Sequence, residues 1–290
     1  MTRQRRAAPF ACLRASGLAL AATVALSGVP APAAGPAIPV APIAATYADL
    51  VGLAEAASIV AEVTVQSQAL VPPERAPGLA AGHARLYVET RTQRVLKGPN
   101  ALGESVNYLA DVPLDAKGKP PKLRKRTFLI FARPVAGQPG MLQLVSPAAQ
   151  LPLDPAIEER VRTVIAQLVA PGAPPRINRV HDVISVAGNL AGESETQMFV
   201  DTASGAPASL TVLRRPNMDP TWGVSWTEVV DESAKPPARD TIAWYRLACS
   251  LPRKLDSGAF LQTDAAGRQR AEADYQFILA QLGSCERKLS

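Results

Sequence analysis

The segment with the strongest suggestion of catalysis is a serine between two glutamates, Gly192-Glu193-Ser194-Glu195-Thr196. It falls one residue short of the G-x-S-x-G pattern of a nucleophile elbow, whose small residues permit the sharp turn that exposes the serine. Thr196 replaces the final glycine, and the flanking carboxylates disfavour a serine alkoxide. Carboxylates at Glu193, Glu195 and Asp201 also fit glycoside hydrolysis or calcium binding. Acids at strand ends are more often simply solvated, so we assign no catalytic residue.

The chain has two histidines, His83 and His181. A zinc site of the metalloprotease type needs histidines at a spacing such as H-E-x-x-H. His83 falls in a glycine-flanked loop and His181 at the start of a strand, so neither spacing nor number fits such a site. We predict no metal site and no cofactor.

The first 34 residues have the pattern of a secretory signal peptide. A basic start at Arg3, Arg5, Arg6 and Arg14 precedes an apolar run over 18–26, and Ala31-Pro32-Ala33 supplies a cleavage pattern. The run is shorter than the roughly 20 residues that a transmembrane helix needs. We therefore expect a periplasmic or secreted protein with no transmembrane span in the mature chain, beginning with a proline- and alanine-rich tether over residues 35–45.

Two cysteines remain after removal of the signal peptide, Cys249 and Cys285. An even number of cysteines in an oxidising compartment predicts a disulfide. Both lie on or next to the C-terminal helices, so the bridge would link one helix to the other. Their spacing is far from C-x-x-C, which argues against a redox role.

A basic loop over residues 117–126 contains six cations and no acid. They are the candidate contacts for an anion: Lys117, Lys119, Lys122, Arg124, Lys125 and Arg126. The loop has no aromatic residue to stack on bases, and export separates the chain from nucleic acid. The four arginines of the signal peptide also account for most of the net charge of +6, which leaves 27 basic against 25 acidic residues. We expect no nucleic acid partner, and an anionic envelope polymer or an envelope protein instead.

Hydrophobic periodicity predicts an α+β protein in two parts. Residues 46–170 form a small β-barrel with flanking helices, whose clearest strand, over 84–95, alternates apolar and polar residues and presents Tyr87 and Arg91 as an edge contact. Residues 176–290 form a module of antiparallel strands followed by two C-terminal helices stapled by the disulfide. The predicted N-caps of the four helices are Thr46, Asp154, Asp240 and Thr263.

The first part resembles a known family of domains. Its order of a helix, Ser58-Ile59-Val60-Ala61-Glu62-Val63, a long strand ending Val95-Leu96-Lys97-Gly98, and Phe128-Leu129-Ile130-Phe131 resembles exported bacterial OB-fold domains. These are similar to the OB-like domain of tissue inhibitors of metalloproteinases. The resemblance covers residues 47–146 and implies a small OB-like β-barrel and protease inhibition. The animal inhibitors place a free N-terminal cysteine on the target's zinc, and no cysteine lies between Cys12 and Cys249 here.

Together these patterns predict an exported, non-enzymatic protein with a binding or structural role in the cell envelope. Two alternatives remain. The OB-like resemblance favours a protease inhibitor, and Ser194 or the Glu193 and Glu195 carboxylates would serve a hydrolase.

Overall fold

The computed structural model describes residues 45–98, 102–227, 234–262 and 264–289. The predicted signal peptide, and all of the predicted tether except Ala45, lie outside these residues. The described residues belong to one compact unit. None of their helices combines the length and the apolar character needed to cross a bilayer.

A closed barrel of five strands forms the first half. Helix α1 (Tyr47–Ala56) precedes β1 (Ile59–Leu70), β2 (His83–Lys97), β3 (Ser105–Pro113), β4 (Thr127–Pro134) and β5 (Met141–Leu144). Neighbouring strands pair in the order β1-β2-β3-β5-β4, and β4 pairs with β1 to close the barrel. Only the β3–β5 pairing among these is parallel. The short β6 (Gln150–Pro152), which the sequence did not predict, pairs antiparallel with residues 128–130 of β4 and precedes helix α2 (Pro155–Val169).

Alternation along the strands decides which side chains fill the barrel. Leu86 and Val88 of β2 point inward and are buried, whereas Glu89 and Arg91 are exposed, as the predicted period of two requires. In β4, Phe128 and Ile130 belong to the barrel core, while Leu129 and Phe131 belong to a second apolar cluster. Both faces of this strand are therefore buried, which explains why its sequence is continuously apolar.

The second half is a four-stranded antiparallel sheet with two helices. The strands β7 (Ile177–Ala187), β8 (Ser194–Thr202), β9 (Ala208–Arg214) and β10 (Thr221–Ser225) lie side by side in chain order. Helices α3 (Ile242–Ala248) and α4 (Ala265–Leu282) follow. The second apolar cluster contains residues from α1, α2, this sheet and both C-terminal helices. The predicted mixed α+β class, with a barrel followed by an antiparallel sheet and two helices, is thus confirmed.

The helix N-termini confirm two of the predicted caps and correct a third. Thr46 forms a capping box with Asp49, and the Asp154 carboxylate accepts from the backbone N–H of Ile157. The prediction for α3 was wrong: Thr241 caps it by accepting from the N–H of Trp244 at 3.2 Å, and Asp240 lies one residue too early. The predicted cap Thr263 lies outside the described residues. The N-cap of α4 is Asp264.

Candidate functional site

The basic loop joins β3 to β4 at one end of the barrel. Its six cationic side chains, Lys117, Lys119, Lys122, Arg124, Lys125 and Arg126, are all exposed. Within the described part of the chain, none of them forms an ion pair with a carboxylate. The loop therefore presents uncompensated positive charge to solvent.

One side of the basic loop is anchored to β1. The backbone N–H of Leu123 donates to the Gln68 side-chain oxygen at 2.5 Å, and the Gln68 amide nitrogen donates to the carbonyl of Pro121 at 2.9 Å. Two further backbone hydrogen bonds join Val65 to Lys125 and Arg126 at 2.8 and 3.0 Å. The side chain of Leu123 is only 2% exposed and packs in the barrel core. These contacts hold the backbone of residues 121–126 against the barrel.

The tip of the same loop is a tight turn organised by Asp115. One of its carboxylate oxygens accepts from the N–H groups of Lys117 and Lys119, each at 2.8 Å. Gly118 takes a φ of +71°, in the left-handed region that favours glycine. The acid closest in sequence to the cations thus serves the backbone of the turn, while the lysine side chains remain directed to solvent.

A cleft of about 500 Å³ runs between the loop and the end of β1. It is lined by Gln66, Ser67 and Gln68 on one side and by Lys122 and Arg124 on the other. Lys122 and Arg124 can bind phosphate, sulfate or carboxylate groups. The Ser67 hydroxyl donates to the Glu89 carboxylate, and the Gln68 amide is used to hold the loop. Arg126 is occupied differently, because its guanidinium lies 5.2 Å from the centre of the Phe128 ring.

Gln68 and Leu123 are the residues of this site that the sequence reasoning missed. The polar Gln66-Ser67-Gln68 interrupts the apolar pattern of the first strand, so the sequence gives no signal that this strand reaches Gln68. In the structure β1 continues to Leu70. One signal was available: Leu123 is the only large apolar side chain in a run of cations, and such a residue marks where a loop contacts a core.

The predicted edge contact lies on the outer face of β2. Tyr87 pairs with Leu109 of β3 and Arg91 with Ser105, so both side chains point away from the barrel interior. The Tyr87 hydroxyl lies 4.0 Å from the Met141 sulfur, and the Leu109 side chain is 44% exposed. These side chains form a small, partly apolar surface that is separate from the basic loop.

The structure does not bring the proposed hydrolase residues together. Ser194 lies on the inner face of β8, and Glu195 lies on the opposite face because side chains alternate along a strand. Glu193 accepts a hydrogen bond from the N–H of Leu190, within the β7–β8 turn. His181 lies in the middle of β7, six residues before Ala187, which pairs with Ser194, and its Nδ1 is 3.1 Å from an Asp201 oxygen. The described residues around Ser194 therefore include no histidine that could act as its base.

The fully buried carboxylate of Asp274, which contacts β8, has a structural role. Asp274 of α4 is 0% exposed, and it accepts from Nε of Arg214 at 2.6 Å and from the hydroxyl of Thr196. A buried charge with a cationic partner and a second donor is the expected form of a structural ion pair. Thr196 thus joins β8 to α4 through a hydrogen bond and is not part of a nucleophile elbow.

The predicted disulfide is confirmed. Cys249 is the C-cap of α3, Cys285 follows α4, and their sulfurs are 2.06 Å apart. The bond links the ends of the two C-terminal helices, as expected from the positions of the cysteines in the sequence.

No protein-family model matches the chain, and a search of curated proteins finds no match either. The geometry of the described residues is therefore the basis for inferring a function.

Proposed function

We propose that the protein is an exported, non-enzymatic binding protein of the cell envelope, and that its basic loop binds an anionic envelope polymer. One observation carries this proposal. Six exposed cations without ion pairs are presented by a loop whose backbone is anchored through Leu123 and Gln68. A disordered basic tail would lose far more conformational freedom on binding than this anchored segment does.

The number and exposure of the cations favour a polymer over a single small anion. An exposed ion pair contributes only about 0–1 kcal/mol, because water and salt screen it. Useful affinity at this surface therefore needs several contacts at once. A chain with repeated phosphate, sulfate or carboxylate groups can supply them along the 117–126 segment.

The barrel topology supports the OB-like resemblance. Its strand order β1-β2-β3-β5-β4, closed by β4 and β1, forms a five-stranded barrel of the size of an OB-fold. OB-folds bind oligonucleotides and oligosaccharides through one face of the barrel and its adjoining loops. In this chain the charge lies on the β3–β4 loop, and the loop lacks aromatic residues, which favours a polyanion without bases.

A protease is a second candidate partner, and the surface around Tyr87 favours it. The exposed Leu109 beside Tyr87 and Met141 gives the outer face of β2 and β3 an apolar contact area. Inhibition of proteases extracted from the envelope tests this candidate, with Leu109→Asp as the variant that should abolish inhibition. Equal inhibition by the variant and the parent would place any inhibitory contact elsewhere.

The proposed function is tested by binding of the purified protein to immobilised long-chain polyphosphate, with neutral dextran as the uncharged control. We expect retention on polyphosphate that weakens as sodium chloride is raised. Replacing three loop cations by glutamine should weaken binding on the order of tenfold, since each contact contributes a fraction of a kcal/mol. The loop variant combines Lys119→Gln, Lys122→Gln and Arg124→Gln.

A variant of equal net charge separates the loop from general electrostatics. It replaces three exposed cations of the second half by glutamine: Arg215, Arg253 and Lys254. Its affinity for polyphosphate should stay close to that of the parent. Equal weakening of both variants, or equal retention on dextran, would rule out the basic loop as the binding site.

A further inference from the structure

Four arginines from distant parts of the sequence surround the last turn of α1. Arg133 comes from the end of β4, Arg176 precedes β7, Arg246 lies on α3, and Arg287 follows α4. All four line a single cavity of about 460 Å³, together with Glu55. We refer to this cavity as the arginine pocket.

Glu55 holds two of the four guanidinium groups in place. Arg246 is buried, with a side chain 8% exposed, and its Nη2 lies 2.7 Å from one Glu55 oxygen. Its Nε donates to the carbonyl of Pro174 at 2.9 Å. Arg176 approaches the other Glu55 oxygen at 3.3 Å and is more than half exposed. One face of the pocket is therefore built from a buried, oriented arginine.

The other two guanidinium groups are held by neutral partners. Nε of Arg133 donates to the carbonyl of Ala56 at 2.7 Å, and Nη2 of Arg287 donates to the Tyr245 hydroxyl at 2.9 Å. Arg287 also lies 5.6 Å from the centre of the Tyr245 ring. The Arg287 guanidinium also packs close to Gly52, where a Cβ would come within 2.6 Å of its Nη1.

The charges of the arginine pocket do not balance. Its lining carries four positive charges, from Arg133, Arg176, Arg246 and Arg287, and one negative charge, from Glu55. Within the described residues, each guanidinium donates from only one or two of its nitrogens. The C-terminus of a helix attracts cations. Arg133 donates to the carbonyl of Ala56 at the end of α1, but this contact explains the position of only one of the four arginines. The pocket thus has an excess of three positive charges and unused donors.

We propose that the arginine pocket binds a small organic anion with at least two negative charges, in which phosphate or carboxylate oxygens receive the arginine donors. Guanidinium groups match the geometry of both kinds of oxygen through paired hydrogen bonds. The volume lies in the range of about 300–1,000 Å³ typical of small-molecule sites. Arg133 lies at the opposite end of β4 from the basic loop, roughly 20 Å away at the rise of a strand, so this site is distinct from the one in the proposed function.

The test uses inorganic pyrophosphate as the probe and the purified protein. We expect pyrophosphate to raise the unfolding midpoint in a concentration-dependent way, because a ligand that binds only the folded state stabilises it. Sodium chloride at the same ionic strength should not reproduce the shift. An equal effect of sodium chloride would overturn the proposal.

Variants locate the binding in the pocket. The double change Arg133→Gln and Arg287→Gln removes two exposed guanidinium groups and leaves the buried Glu55–Arg246 pair intact. Affinity for pyrophosphate by titration calorimetry should fall at least about tenfold, the effect of losing charge-assisted hydrogen bonds. The single variant Arg133→Gln, whose side chain is exposed, keeps the test decisive if the double variant folds poorly.

Reciprocal binding tests on the two variants separate this proposal from the proposed function. The loop variant at Lys119, Lys122 and Arg124 should retain pyrophosphate binding while losing polyphosphate retention, and the pocket variant should behave in the opposite way. Loss of pyrophosphate binding in the loop variant, with full binding in the pocket variant, would refute the arginine pocket as a site. Unchanged affinity in both variants would refute it as well.

Discussion

Asp49 shows how one buried carboxylate joins the two ends of the described chain. Its oxygens accept from the N–H and the hydroxyl of Thr46, both at 2.8 Å, and from the N–H groups of Lys288 and Leu289 at 3.1 and 3.2 Å. Burial alone would raise the pKa of Asp49, but these hydrogen bonds outweigh it and hold the pKa below its ordinary value. The carboxylate therefore stabilises the fold in its ionised form.

The lowered pKa of Asp49 predicts how the free energy of unfolding depends on pH. Because the pKa of Asp49 is lowered in the folded state, its contribution is complete above the unfolded pKa of about 3.9 and is lost as the pH falls through the folded value. Asp49→Asn should lower the free energy of unfolding at neutral pH by about 1–3 kcal/mol, the range for hydrogen bonds to a charged group. The difference between variant and parent should shrink below about pH 4. Urea unfolding at several pH values measures both effects.

Asp219 provides the matched control, since its carboxylate is exposed in the segment between β9 and β10. Asp219→Asn should leave stability unchanged within about 0.5 kcal/mol. A destabilisation by Asp49→Asn that stays constant down to pH 2 would show that the ionised carboxylate is not the source of the effect.

At the scale of elements, β1 and the basic loop stabilise each other. The extension of β1 beyond Val65 supplies Gln68, and the loop supplies Leu123 to the barrel core. The cations of the loop are exposed while the backbone of residues 121–126 is hydrogen-bonded to β1, a combination that suits a preorganised binding surface.

Removing the apolar anchor should release this loop. Leu123→Ala leaves a cavity in the barrel core, a type of change that costs about 2–5 kcal/mol. Because part of that cost is avoided if the loop detaches, we expect trypsin to cleave after its lysines and arginines much faster than in the parent. Limited digestion followed by mass spectrometry of the fragments measures the cleavage sites and rates.

Leu109→Ala is the control for this experiment, since that side chain is already 44% exposed on β3. It should leave the cleavage pattern unchanged. If the Leu123→Ala loop is cleaved at the parent's rate under native conditions, then Leu123 is not what holds the loop to the barrel.

At the scale of the whole molecule, the C-terminal helices connect the second sheet to α1. Trp244 of α3 donates from its indole nitrogen to the carbonyl of Leu282 at 2.9 Å and packs edge-on against Tyr47. The disulfide joins the same two helices at Cys249 and Cys285. The disulfide and these hydrogen bonds and ring contacts thus fix the C-terminal residues that line the arginine pocket, among them Tyr245 and Arg287.

Loss of the disulfide should destabilise the folded state without changing the fold. The bond closes a loop between residues 36 positions apart, for which chain entropy gives about 3–4 kcal/mol. Cys249→Ser combined with Cys285→Ser should lower the unfolding midpoint in chemical denaturation, and a reducing agent should lower the parent's midpoint to a similar value.

The double variant is its own control for the reducing agent, which should not affect it further. A parent midpoint that does not respond to reduction, once free thiols are shown to have formed, would contradict a stabilising role for the bond.

Much of the fold was predictable because its causes are local in the sequence. Alternation along residues 84–95 depends only on the period of a strand, and the capping box at Thr46 and Asp49 depends on residues three apart. The α3 cap shows the limit of such reasoning. Asp240 and Thr241 are adjacent and both are good caps, and the backbone decides between them, because Thr241 is extended while Asp240 has a φ of +57°.

The sequence by itself determined most of the element types, the pairing of the two cysteines and the presence of a basic loop. Each of these follows from composition or from spacings of a few residues. The tertiary structure alone decided the closure of the barrel, the anchoring of the loop by Gln68, and the arginine pocket. Arg133, Arg176, Arg246 and Arg287 carry no common local pattern. They meet because strand register and helix packing bring segments 41 to 154 residues apart to one turn of α1. No short-range periodicity encodes that.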